Sequence, residues 1–384
     1  MAPGEDQYRD PGRVALGTWS GGLFMGFGQK IDEERLRAVL TPGDGISTVI
    51  TADTYGQGGA DSLLGEALAG VPREDYCLIG AVGHDFYQGE RDGPRGFPRF
   101  TDARLRDAGT YADYLREAAE RSLERTGTDR FDVLLLHNPD RTGYTSEVVW
   151  DGMAALREEG LASRIGVAPG PANGFTLDML DCFERFGDRI DWAMIILNPF
   201  EPWPGELVLD AAEQNDIGVI TRVVDYGGLF WGDVERIDDF PPHDHRRFRP
   251  DGWIEAGLGK LDAMRPIADR HGLTTIQLAC LWNLAHPAVR CVAPTLIQEG
   301  GENARPIEDK RAELAALPEQ VLTEAEVAEI RSIGDNAGSM DLKGASPEHE
   351  GEIKPDRWPV SPELESIASR WGIEPARDLV KTSG

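Results

Sequence analysis

The sequence predicts an α/β fold, a (β/α)8 TIM barrel with long loops at its C-terminal face and a C-terminal extension. Three observations lead there. Eight short apolar runs rich in β-branched residues alternate with helix-period segments. Most of these runs are continuously apolar, as strands buried on both faces must be. No Gly-x-Gly-x-x-Gly follows an early strand, although an open doubly wound sheet would call for one.

The strands are expected at 14–18, 48–51, 76–82, 132–137, 164–168, 192–197, 218–223 and 289–293. Helical patterns fall between them, at 32–40, 62–69, 111–126, 147–159, 176–186, 206–215, 253–270 and 310–317. In 111–126 the apolar face is Leu115, Ala118, Ala119 and Leu123, at helical spacing. Thr145-Ser146 offers an N-cap to the helix that follows. Segments 274–284 and 323–333 read as extra helices around the eighth unit. Residues 85–109, 230–251 and 296–309 are too long for simple turns. All three leave the carboxyl ends of strands, where barrel enzymes carry their sites. The first two are expected as walls or lids. Residues 1–336 form the barrel, and the polar tail 337–384 is expected to pack on or wrap it.

A net charge of −28, from 67 acidic and 39 basic residues, repels phosphate backbones and anionic membranes. The expected partner is therefore a small-molecule substrate, with no nucleic acid and no membrane. The N-terminus lacks an apolar core, and the widely spaced Cys77, Cys182, Cys280 and Cys291 form no Cys-x-x-Cys pair. A cytoplasmic protein with buried thiols is expected. No metal-ligand spacing is diagnostic, so no metal is expected.

The strand ends carry polar residues. Strand two ends in Thr51-Ala52-Asp53-Thr54-Tyr55, strand three is followed by Gly83-His84-Asp85, and strand four ends in His137-Asn138. Asn198 follows strand six. Arg222 lies on strand seven, ahead of Asp225 and Tyr226. In a barrel these can converge on one mouth. A phenol beside one or two imidazoles is a workable acid–base group, with Tyr55, His137 and His84 as the catalytic candidates. Asp53, Asn138, Asp225 and Tyr226 are candidates to meet a hydroxylated substrate, and Trp19 and Phe86 to supply an apolar wall.

These residues resemble the aldo-keto reductases. Ala15–Trp19 (ALGTW) is similar to the family's opening Leu-Gly-x-Gly-Thr. Thr51–Gly56, with Ser62 and Gly65-Glu66-Ala67-Leu68, resembles its DTADxYG signature. Asp132–His137 resembles the strand bearing the catalytic His, Leu197-Asn198-Pro199 the segment after strand six, and Gly227-Gly228-Leu229 the glycine turn after strand seven. The resemblance spans roughly residues 12–335. It implies NADP bound in extended form, without a Rossmann fingerprint. Gly17, Thr18, Asn198, Arg222, Gly228 and Leu229 are the implied cofactor contacts. Tyr55 is then the proton donor and His137 orients a carbonyl.

Departures accompany it. The family's catalytic Asp and Lys align with Ile50 and Ala81. Losing one alone would strand a buried charge at a cost of roughly 3–5 kcal/mol, so the paired apolar replacement is coherent. His84 or Arg222 is a candidate to replace the Lys. The carboxamide-gripping Ser-Asn and Gln align with Ala168-Pro169 and Met194, and the phosphate-binding basic cluster is displaced to Lys310 and Arg311. The sequence therefore predicts an NADPH-dependent reductase of an aldehyde, ketone or keto-sugar. The alternative is a non-redox lyase, isomerase or epimerase on a sugar-like substrate, and a non-catalytic binding barrel is the third reading.

Overall fold

The computed structural model describes residues 8–92, 96–170, 176–336 and 358–379. Eight parallel strands run in the order of the chain: β1 (Ala15–Gly17), β2 (Thr48–Ile50), β3 (Cys77–Val82), β4 (Phe131–His137), β5 (Ala162–Ala168), β6 (Trp192–Ile196), β7 (Gly218–Arg222) and β8 (Val289–Ala293). The sheet returns on itself. Val14 bridges Val292, whose N–H donates to the Arg13 carbonyl at 2.9 Å. The result is the expected (β/α)8 barrel.

Alternation along β4 explains the unbroken apolar runs. Val133 and Leu135 face the barrel interior, while Leu134 and Leu136 face the surrounding helices. Both faces are buried, so both carry apolar side chains. At the carboxyl ends the interior positions include Ala81, Ala168 and Ala293. Their small side chains leave room at the mouth.

The helices follow their expected faces, with shifted ends. Helix Tyr111–Thr126 buries Leu115, Ala118, Ala119 and Leu123, and stops at Gly127 with φ 65°. Thr274 and Thr323, expected as first residues, are N-caps closing capping boxes with Gln277 and Glu326. The helix expected at 310–317 begins earlier, at Ile307, after Pro306. Lys310 therefore lies inside it, buried against Asp233 at 2.7 Å. The expected 206–215 begins as a 3-10 turn, Gly205–Val208, and only Leu209–Gln214 is α-helical.

Much of the tail expected to wrap the barrel lies outside the described residues. Its far part is a helix, Pro362–Arg370, which buries Leu364, Ile367 and Ala368 against helix Thr176–Phe186. Trp358 donates its indole N–H to Asp178 at 3.0 Å, and Glu363 pairs with Arg141 at 2.9 Å. Among the described residues no helix is long and apolar enough to cross a membrane.

Candidate active site

The carboxyl ends of the strands open into a cavity of about 370 Å³. Trp19, Tyr55, His137, Asn138, Arg222 and Arg249 line it, over an apolar floor that includes Ala168 and Met194. Local backbone geometry sets each side chain. Tyr55 opens a tight turn after β2, which Gly56 (φ 59°) and Gln57 (φ 53°) make possible. Trp19 lies flat over Gly17, where a Cβ would approach its indole to 2.3 Å. Only glycine fits there.

The aromatic rings form a chain. Trp19 and Tyr55 have centroids 6.5 Å apart, Tyr55 and His137 5.7 Å, and His137 and His84 5.2 Å, each pair edge to face. Tyr55 and His137 share the cavity. His84 stands behind His137, and both its nitrogens are engaged. One neutral tautomer satisfies the two shorter contacts: Nδ1–H donates to the Phe97 carbonyl at 2.9 Å, and Nε2 accepts from the Asn138 amide at 2.9 Å, while the Arg99 guanidinium lies 3.3 Å from Nδ1. Asn138 meets it from a left-handed backbone, φ 48°, which asparagine tolerates.

Burial dominates the electrostatics. It pushes the Tyr55 phenol above its ordinary pKa, and the Arg222 guanidinium pulls it back. Burial, then His84 and Arg222, hold His137 well below the ordinary histidine range, so the ring is neutral. Its buried Nδ1 has no hydrogen-bond partner. His84 is lowered to about 3 by burial and Arg99. Arg222 is pinned by the Pro169 and Gly170 carbonyls, at 3.0 and 2.9 Å. Its Nε is buried with no partner among the described residues, and burial lowers its pKa.

Other candidates stand apart from the cavity. Asp53 is fully buried behind the β2 turn, where burial and then Asp61 raise its pKa well above the carboxylate range. Phe86 packs on Tyr87 and Phe97, and none of the described residues of loop 85–109, expected as a wall, lines the cavity. Tyr226 packs on Phe200 and Trp253, and Leu229 is in the outer core. Asn198 is buried, holding its own turn through the Phe200 and Glu201 N–H groups and donating to the Val223 carbonyl at 3.1 Å. Thr18 is buried, its hydroxyl 3.4 Å from that of Thr51. Asp225 does line the cavity, but its oxygens accept from Gly228 N–H (2.9 Å) and Thr295 N–H (2.8 Å), so it shapes the glycine turn.

Sequence reasoning missed Met25, Phe27, His245, Phe248 and Arg249 as lining residues. The last three belong to loop 230–251, which does form a wall. The loop is fastened down by Arg246, fully buried between Asp244 (2.7 Å) and Glu299 (2.6 Å). Asp244 also accepts from Gly28 N–H at 2.7 Å, and His245 N–H donates to the Gly26 carbonyl at 2.8 Å. The basic run HDHRRFR in so acidic a chain was the available signal.

A protein-family model described as the aldo/keto reductase family matches residues 13–335. Among curated proteins, a probable voltage-gated potassium channel subunit beta of Arabidopsis thaliana is 24% identical over 74% of this chain and 86% of its own length. The aldo-keto reductase YhdN of Bacillus subtilis is 26% identical over 72% of this chain and 78% of its own. Among solved structures, an aldo/keto reductase from Klebsiella pneumoniae in complex with NADP and acetate superposes with TM-score 0.57 at 21% identity, covering 84% of this chain and 90% of that one. At that identity the structural likeness speaks for the fold.

Proposed function

The chain belongs to the aldo/keto reductase family and is an oxidoreductase of that type, and from that premise we propose that it reduces an aldehyde, ketone or keto-sugar with NADPH. The observation that carries this reading is the meeting of Tyr55 and His137 in one cavity with Arg222 beside the phenol.

Arg222 and the backbone of Gly227, which both line the cavity, are suited to hold a nicotinamide dinucleotide. Arg222 presents a flat cation pinned by two backbone carbonyls. Gly227 (φ 64°) and Gly228 (φ 99°) hold the left-handed backbone of the glycine turn, and Gly227 lines the cavity. When bound, the nicotinamide supplies a hydride to the carbonyl carbon.

The chain's own residues do the rest. The Tyr55 hydroxyl donates its proton to the carbonyl oxygen as negative charge develops there. Arg222 steadies the resulting phenolate, taking over in part the charge that Ala81 lacks. Neutral His137 hydrogen-bonds the carbonyl oxygen and fixes its direction. His84 is a positioning residue, packed behind His137 and orienting the Asn138 amide.

One observation favours the second reading, a non-redox lyase, isomerase or epimerase. Ala168, Pro169 and Met194 offer no side-chain hydrogen-bond donor for a carboxamide. Titration with NADPH separates the two. A melting point that rises with NADPH, together with NADPH oxidation in the presence of short aldehydes, is expected. No response to the nucleotide would overturn the reductase reading. Tyr55→Phe is expected to lower kcat by about 10²–10⁴-fold, the usual worth of a general acid. Full activity in that variant would remove Tyr55 from the chemistry.

A further inference from the structure

Arg249 differs from the other arginine of its loop that reaches the cavity. Arg246, three residues earlier, is clamped by two carboxylates. Arg249 lines the same cavity half-buried and pairs with no carboxylate among the described residues. Among the described residues its hydrogen bond is a long contact from a terminal nitrogen to the Tyr226 carbonyl, 3.4 Å. Aromatic faces hold it instead, with Trp253 at 4.3 Å and Tyr226 at 5.3 Å from ring centroid to guanidinium carbon. It lies close against the backbone at Gly227, where a Cβ would sit 2.7 Å from both terminal nitrogens.

In a chain with 67 acidic residues against 39 basic ones, counter-charges are plentiful. Arg73, Arg106, Arg125 and Arg141 each find one at the edge of the core. A guanidinium held by its flat faces, with most of its N–H donors unspent, is prepared for a ligand oxyanion. Arginine binds carboxylate and phosphate through two parallel hydrogen bonds, a geometry that aromatic stacking leaves free.

We propose that the substrate of this cavity is an acid-bearing carbonyl compound, its carboxylate or phosphate received by Arg249 while its carbonyl faces Tyr55 and His137. This rests on reading the cavity as a carbonyl-reducing site. The apolar surfaces of Trp19, Met25, Phe27 and Ile297 would cover the stem between the two ends.

The test uses the full chain and two probes of equal shape, 4-carboxybenzaldehyde and its neutral amide, 4-formylbenzamide. Their affinities are measured by calorimetry, which needs no turnover. A failure of the reductase chemistry is therefore read separately, from NADPH oxidation. The acid is expected to bind about tenfold more tightly than the amide, as a charge-assisted bidentate contact implies. Arg249→Leu is expected to erase that preference and Arg249→Lys to keep part of it, with NADPH affinity within about twofold of wild type. Equal affinity of the unsubstituted protein for acid and amide would overturn the proposal. So would a loss of NADPH affinity in Arg249→Leu as large as the loss for the acid, since the oxyanion at Arg249 would then belong to the nucleotide.

Discussion

At the scale of single residues, the site works by substitution of charge. The Asp and Lys expected beside the phenol are Ile50 and Ala81, and both lie in the apolar interior of the barrel. Neither leaves a stranded ion. The remaining positive charge on Tyr55 is Arg222, and its effect has a definite sign. Burial raises the phenol's pKa and Arg222 lowers it, so removing the guanidinium raises it further. Reduction needs the protonated phenol, so Arg222→Leu is expected to move the alkaline limb of the kcat/KM profile to higher pH. It is also expected to lower kcat about tenfold, because a phenolate formed without a neighbouring cation is less stable by about 1.4 kcal/mol or more. An alkaline limb that stays in place would show that Arg222 does not act on Tyr55. His84, the other candidate for the missing lysine, is committed to Phe97 and Asn138 and is neutral down to about pH 3. Proximity alone, which is what sequence spacing offers, could not distinguish the two. What separates them is which nitrogen atoms are already taken.

At the scale of elements, legibility followed contact range. Strands and helices were readable because a continuous apolar run or a 3.6-residue period is written within a dozen residues. Their ends moved where a cap or proline decided them, as at Thr274, Thr323 and Pro306. The walls of the cavity were less readable. Loop 230–251 was expected as a wall, but Arg249 and His245 line the cavity only because the loop folds back on Gly26–Gly28. That contact spans 216 positions of chain. Loop 85–109, expected to do the same, instead supports His84 from behind, with the Arg106–Asp85 pair anchoring it. The fold-back of loop 230–251 depends on Arg246. Replacing it with Met removes the cation that Asp244 and Glu299 share. Arg246→Met is expected to cost roughly 3–5 kcal/mol, the usual penalty for breaking a buried ion pair from one side. A fall in the urea midpoint at unchanged m-value measures it. A loss below about 1 kcal/mol would mean the loop is held by its apolar residues alone.

At the scale of the whole molecule, the barrel is not equally strong around its circumference. β4 and β5 pair along six positions. β1 is three residues long, and its ladder to β8 is the Val14–Val292 bridge, backed beyond the strands by Gly21 and Gln29 N–H groups donating to the Leu296 and Gln298 carbonyls. This is the thin seam of the cylinder, where one stave can part from the next at least cost. Fewer buried backbone bonds imply a lower free energy of local opening, so the Val292 amide is expected to exchange with solvent deuterium faster than those of Leu134 and Leu136 on β4. Equal protection would mean that the cylinder opens only as a whole. The seam's position has a further effect. Trp19 hangs from the end of β1, and Thr295 and Ile297 follow β8, so the two edges that would separate both carry cavity-lining side chains. Loop 230–251 is fastened across the same gap, from Gly26–Gly28 on one bank to Glu299 on the other. The buried arginine therefore does more than hold a flap: through Asp244 and Glu299 it laces together the two banks of the vessel's thinnest join.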